Sequence, residues 1–192
     1  MKTLLNSGQL NITLQRLAHQ LVENHLSFNN TVIIGIQPRG ILLSDRIVKM
    51  VKKISGNQQL EYGRLDITFY RDDVASRDIL VPNDTNIPFS IEGKNVVLID
   101  DVLHTGRTIR SAMDALIDFG RPKKVELLVL IDRRFSRELP VQPEYAGHTV
   151  DTIITQKVVV YWKEKDGKWP LGWSVLHRLF FYAAFKYVVV SN

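Results

Sequence analysis

Three short apolar runs constrain this chain more than any other feature: Val32-Ile33-Ile34-Gly35-Ile36, Val96-Val97-Leu98-Ile99 and the stretch from Val125 to Ile131. Each is nearly unbroken and rich in β-branched side chains. A strand of that kind has no wet face, so both its sides must be covered, as in a parallel sheet packed between helices. Between the runs the period becomes helical. Leu14, Leu17, Ala18, Leu21 and Val22 recur at i, i+3, i+4, i+7, and with Asn11 as a cap they predict an amphipathic helix over about residues 12–25. Ile41, Leu42, Ile47, Val48 and Val51 predict a second helix that stops at Gly56, and Ile109, Ala112, Met113 and Leu116 a third over about 108–119, closed by Gly120 and Pro122. The alternating stretch Arg64–Tyr70 reads as a strand with one wet face, and Val158–Trp162 as the last strand. Repeated strand–loop–helix units with right-handed crossovers give an α/β fold: an open parallel sheet flanked by helices.

A chain of 192 residues, 45% of them hydrophobic, can bury roughly 70% of the surface that it exposes when unfolded and needs no covalent staple. There is no cysteine, which excludes disulfides, thiolate zinc sites, iron–sulfur clusters and thiol nucleophiles. The start, Met1-Lys2-Thr3-Leu4-Leu5-Asn6, has no apolar core of a signal peptide, so a cytoplasmic protein is expected. The net charge of +5 is not a nucleic-acid footprint. Residues 1–150 hold 19 Lys+Arg against 17 Asp+Glu, and residues 151–192 hold 6 against 3, so most of the excess lies at the C-terminal end. The histidines, His19, His25, His104, His148 and His177, show no ligand spacing, and no metal site built by protein alone is expected.

The chemistry concentrates in Val96–Thr108. A buried strand delivers Asp100 and Asp101 to its C-terminal end, where ligands bind in open α/β sheets. The loop that follows offers hydroxyls at Thr105 and Thr108, close backbone approach at Gly106 and the N-terminus of a helix, which together make an anion cradle. Carboxylates beside such a cradle fit a sugar phosphate. The stretch from Arg71 to Glu92 has no period and is rich in Asp, Asn and Pro. A loop of that length inside a compact domain is typically a lid or binding loop.

The run Ile99-Asp100-Asp101-Val102-Leu103-His104-Thr105-Gly106-Arg107-Thr108 resembles the phosphoribosyl pyrophosphate (PRPP) motif of the type I phosphoribosyltransferases. Its form, together with Ile34–Gly40, Asp66–Asp73, and Asp132-Arg133 followed by Arg137-Glu138-Leu139-Pro140, resembles the branch that combines uracil phosphoribosyltransferase activity with pyrimidine-operon regulation. The likeness covers about residues 10–165. It implies a small hood, an active-site loop beginning at Arg71, and conversion of uracil and PRPP to UMP and pyrophosphate with Mg²⁺ held with PRPP near Asp100 and Asp101. It implies a PRPP site of Pro38, Arg39, Gly40, Asp100, Asp101, Val102, Leu103, His104, Thr105, Gly106, Arg107 and Thr108, with Asp100, Asp101 and Arg71 nearest the chemistry. Pro38 stands where the branch usually has Thr, and a proline fixes φ and removes an amide donor. Arg133 and Val158 correspond to the base side, and Arg16, His19 and Arg137 to contacts with a pyr mRNA leader stem-loop. A homo-oligomer, dimer or higher, without membrane contact is also implied. Two alternatives stay open at this point: an RNA-binding attenuator with little catalysis, and a phosphoribosyltransferase for a purine base.

Past about residue 168 the resemblance stops, dividing a phosphoribosyltransferase domain (1–168) from an extension (169–192) that carries 7 of the 17 aromatic residues. Its abrupt change of composition is that of an added helix, an oligomer contact or a non-native tail, and the last is favoured. His177, Arg178 and Lys186 interrupt it, so it is not a membrane span.

Overall fold

The structure, a computed structural model, describes residues 2–72, 82–152, 157–162 and 186–190. The main sheet has five parallel strands in the order β3-β2-β4-β5-β6: β2 is Thr31–Ile36, β3 Tyr62–Leu65, β4 Asn95–Leu103, β5 Lys124–Arg134 and β6 Tyr145–Asp151. All six β2 residues are buried, as are all but the ends of the apolar stretches of β4 and β5, which is what runs without a polar face require. Helices α1 (Ser7–His25) and α2 (Gly40–Ser55) cover one side of the sheet and α3 (Arg107–Leu116) the other.

A second, three-stranded parallel sheet has the order β1-β8-β7, with β1 Lys2–Leu5, β7 Lys157–Tyr161 and β8 Lys186–Val190. It is the hood. Val158, Val160 and Trp162 bring β7 into the core on the α1/α2 side. Residues 186–190 of the C-terminal segment thus supply the middle strand of the hood, while the remainder of 163–192 lies outside the described residues.

Several boundaries differ from the sequence expectation for local reasons. Helix α1 starts at Ser7 because Asn6, not Asn11, caps it: the Asn6 side chain accepts from Gln9 N–H at 2.9 Å and the Gln9 side chain accepts from Asn6 N–H at 3.0 Å. Strand β3 stops at Leu65, not Tyr70. Asp66 ends it by accepting from the Thr68 amide (3.3 Å) and hydroxyl (2.8 Å), which turns Thr68–Tyr70 into a 3₁₀ segment. The third helix closes at Leu116 and continues as a 3₁₀ turn to Phe119.

At the N-terminal end of the sheet the chain joins α1, β2, β5 and β6 through a polar cluster. Buried Glu126 sits 2.9 Å from His25 Nε2 and accepts from Tyr145 Oη at 2.9 Å, while its other oxygen meets Lys124 Nζ at 2.7 Å. Thr31 Oγ1 lies 3.1 Å from His25 Nδ1, and Asn24 donates to Tyr145 Oη at 2.9 Å. Burial pushes Tyr145 up to about 12, so it stays a donor. Glu126→Ala removes the acceptor shared by three side chains. The expected cost is about 3 kcal/mol, read as a lower urea midpoint with an unchanged slope.

Candidate active site

Strand β4 carries both carboxylates. On β4, Val96 and Leu98 pack on the α3 side, and Val97 and Ile99 on the side of α2 and β7. Past Ile99 the alternation shifts, with Val102 on the α1/α2 side and Leu103 on the α3 side, and the contacts of the two acids place them. Asp100 lines a cavity of about 260 Å³ together with Arg71, Asp72 and residues 102–109. Asp101 Oδ2 instead accepts from Arg39 Nε at 3.2 Å. Both carboxyls are buried. Burial, reinforced by the neighbouring Asp101 charge, pushes Asp100 well above the usual carboxylate range, with Arg71 and Arg39 opposing. Burial also raises Asp101, against the pull of Arg39. Adjacent acids in one dry strand end cannot both ionise cheaply without a cation or a ligand.

The anion cradle is the short loop His104-Thr105-Gly106 and the first turn of α3. Val102 and Leu103, expected in the loop, belong to β4, and the helix begins at Arg107, one residue before Thr108. Gly106 has φ +94, and a Cβ there would stand 3.2 Å from Leu139 Cβ, so a side chain would be both strained and crowded. The loop is braced from the segment after β5. The Glu138 and Leu139 amides both donate to Thr105 O at 3.0 Å, and Arg137 donates to the His104 carbonyl and to Asp132. Burial, with the charge of Arg133 next, lowers the His104 pKa, so it faces the cavity as a neutral ring. Arg107 does not reach inward: Nη1 pairs with Asp72 Oδ2 at 2.5 Å and Nε with Glu138 Oε2 at 2.6 Å.

The loop of Gln37, Pro38 and Arg39 leads into α2 against the end of β4, with a cis Gln37–Pro38 peptide. A Cβ on Gly40 would lie 2.5 Å from Ile99 O and 3.2 Å from Asp100 Oδ1, so only glycine permits this approach. Asp66 gathers both ends of the long 71–92 stretch: besides Thr68, it accepts from the Asn83 amide at 3.0 Å, and its own amide donates to Thr85 Oγ1 at 3.0 Å. The middle of the expected active-site loop, 73–81, lies outside the described residues.

Arg133 is buried at the end of β5 and donates from Nε to Thr152 Oγ1 at 3.0 Å, while burial lowers its pKa. Val158 is buried on β7. The three residues expected to meet RNA are held by separate parts of the fold. Arg16 caps carbonyls of the edge strand β6, at 3.2 Å to Ala146 O and 2.6 Å to Gly147 O, and His19 is exposed on the same helix. Arg137, by contrast, is a brace of the cradle, not a free surface cation. Asp66, Asp72 and Glu138 lie in the motifs named above but with no role assigned to them, and Thr152 lies outside those motifs. Each acts through a partner distant in the chain or through loop geometry, which leaves no periodic or spacing signal.

Among the described residues no group of three or more His, Asp or Glu is placed to hold a metal ion, and no helix is long and apolar enough to cross a membrane. The donor set that exists, two adjacent acids raised by burial, fits a hard divalent cation that arrives with an anionic ligand.

Because the folded protein holds the Asp100 proton more tightly than the unfolded chain, stability falls as pH rises from the unfolded value near 4 through the raised folded one. Asp100→Asn removes that loss. The variant is expected to gain about 1 kcal/mol at pH 8, or about 2–4 °C in Tm. The gain should vanish as melts are repeated towards pH 4.

A family model described as phosphoribosyl transferase domain matches residues 1–165. The chain is 48% identical over 172 residues to the bifunctional protein PyrR of Elusimicrobium minutum, covering 88% of this chain and 94% of that one. It is 40% identical over 166 residues to the bifunctional protein PyrR of Bacillus subtilis, covering 85% and 91%. Among solved structures, a hypoxanthine phosphoribosyltransferase from Staphylococcus aureus superimposes with TM-score 0.60 at 22% identity, covering 77% of each chain. A hypoxanthine-guanine phosphoribosyltransferase from Bacillus anthracis does so with TM-score 0.61 at 19% identity, covering 79% and 83%. At those identities the two structures speak for the fold alone. With the parallel sheet, the cradle and the paired acids in the same order, the chain belongs to the phosphoribosyl transferase domain family and, within it, to the PyrR proteins.

Proposed function

We propose that this protein transfers the phosphoribosyl group of PRPP to uracil, giving UMP and pyrophosphate, and that it also binds a pyr mRNA leader stem-loop. The observation that carries the first part is the cavity in which Asp100 stands beside the cradle of 104–108. Amides of the α3 first turn and the hydroxyls of Thr105 and Thr108 take the 5-phosphate, since Arg107 is engaged by Asp72 and Glu138. Asp100 and Asp101 accept from the ribose hydroxyls, and Mg²⁺ comes as part of the PRPP complex, where it neutralises the departing pyrophosphate. Arg71 and the Pro38–Gly40 loop border that leaving group, and Arg133 and Val158 border the base.

As the bond from uracil N1 to the ribose C1 forms, the C1–oxygen bond breaks and its electron pair leaves on pyrophosphate, while the N1 proton is released. The positive charge that develops on the sugar is met by the carboxylate pair, and no protein nucleophile is required. Ribose hydroxyl donors and a divalent cation beside the pair would favour the ionised form of Asp100 and offset the cost of its burial.

Uracil consumption with PRPP and Mg²⁺ is the direct assay, and turnover of hypoxanthine without uracil would overturn the choice of base. Gly106→Val should raise the KM for PRPP by at least about tenfold while leaving the fold intact by circular dichroism.

For RNA, the candidate positions are Arg16 and His19 on α1 and Arg137 beside the cradle. Leader RNA should bind more tightly than an unrelated hairpin, with affinity falling as salt rises. Arg16→Ala should reduce the slope of log K against log salt by about one, as for one lost phosphate contact. Equal affinity for both RNAs would remove this second activity.

A further inference from the structure

Helix α2 grips the hood strand β7 at two places. At its start, Arg39 spans a gap: Nε donates to Asp101 Oδ2 at 3.2 Å and Nη2 donates to the Val160 carbonyl. Seven residues on, the same face of the helix presents Arg46, whose guanidinium carbon lies 4.4 Å from the centroid of the fully buried Trp162 ring. Arg46 is itself steadied by Nη1 donating to Leu42 O at 2.8 Å. Strand β7 is not hydrogen-bonded into the five-stranded sheet that carries the acids. Arg39 and Arg46 are two side chains at the α2 side that tie its end to the main domain.

We infer that Arg39 is a positioning residue: one rigid guanidinium fork fixes the wall formed by β7 at a set distance from Asp101, so that filling the ribose–pyrophosphate subsite orders the surface against which the base docks. This rests on the proposal above that the base docks beside Val158. It differs from a role for Arg39 as a charge on pyrophosphate, because the fork is already divided between a carboxylate and a backbone carbonyl. A planar guanidinium can hold both acceptors at once. An ammonium can hold one.

Two variants separate the roles. Arg39→Lys keeps the positive charge but cannot bridge, and Arg46→Met keeps stem packing on Trp162 while losing the cation. The expected result for Arg39→Lys is a KM for uracil raised about tenfold, a larger change than in the KM for PRPP or in product inhibition by pyrophosphate. Arg46→Met should move the uracil KM in the same direction by about threefold. Hydrogen exchange gives a readout that needs no turnover: PRPP with Mg²⁺ should protect the amides of 157–162 in the wild-type protein and fail to do so in Arg39→Lys. A wild-type uracil KM in Arg39→Lys, a loss confined to PRPP and pyrophosphate, or unchanged PRPP-induced protection would each overturn the inference. Absence of uracil turnover in the wild-type protein refutes the functional proposal instead, and the exchange experiment still decides the role of Arg39.

Discussion

Two carboxylates placed side by side at the dry end of a central strand set the terms for everything around them. Asp100 and Asp101 do not share one environment. Asp100 lines the cavity of the cradle while its Oδ1 also lies against Gly40 at the start of α2, and Asp101 is held by Arg39. The site is therefore assembled from both faces of the sheet at once. Its parts must be joined around the end of β4, where the loops after β2, β4 and β5 converge.

That arrangement carries an electrostatic cost in the ligand-free protein. The cations around the pair are shared: Arg39 donates to Asp101 and to Val160 O, Arg71 lines the cavity with Asp100, and Arg107 is engaged by Asp72 and Glu138. Burial holds the Asp100 carboxyl well above the usual carboxylate range, and a ligand that brings hydroxyl donors and a divalent cation favours its ionised form. The stability deficit sits at the strand end, far from the compensating network of Glu126, His25 and Tyr145 at the opposite end of the sheet.

What the sequence made legible follows from the range of the interactions. The apolar runs of β2, β4 and β5 and the stripes of α1 to α3 are local periodic signals and were readable, as was the order Asp-Asp, Thr, Gly, Arg, Thr, because adjacency is itself the functional geometry. The expected strand at Arg64–Tyr70 failed because a single side chain, Asp66, outcompeted the ladder by capping its own backbone two residues on. Arg137 is tied to a partner 33 positions earlier, the His104 carbonyl, a contact that no local pattern announces. Strands β1 and β8 are four and five residues long, and their ladders join segments from opposite ends of the chain, which leaves no local periodic signal.

The hood shows how far such long-range pairing reaches. Strand β7 has β8 as its ladder partner, and β8 in turn pairs with β1, so the two ends of the chain are hydrogen-bonded into one small sheet. The surface beside Asp101 is thereby tied to the N-terminal strand, and from there to α1, whose cap at Asn6 follows β1 after a single step of chain. Arg16 lies on that helix and reaches the edge strand β6. The proposed substrate and RNA surfaces are thus linked through the β7–β8–β1 ladder and the chain step from β1 into α1.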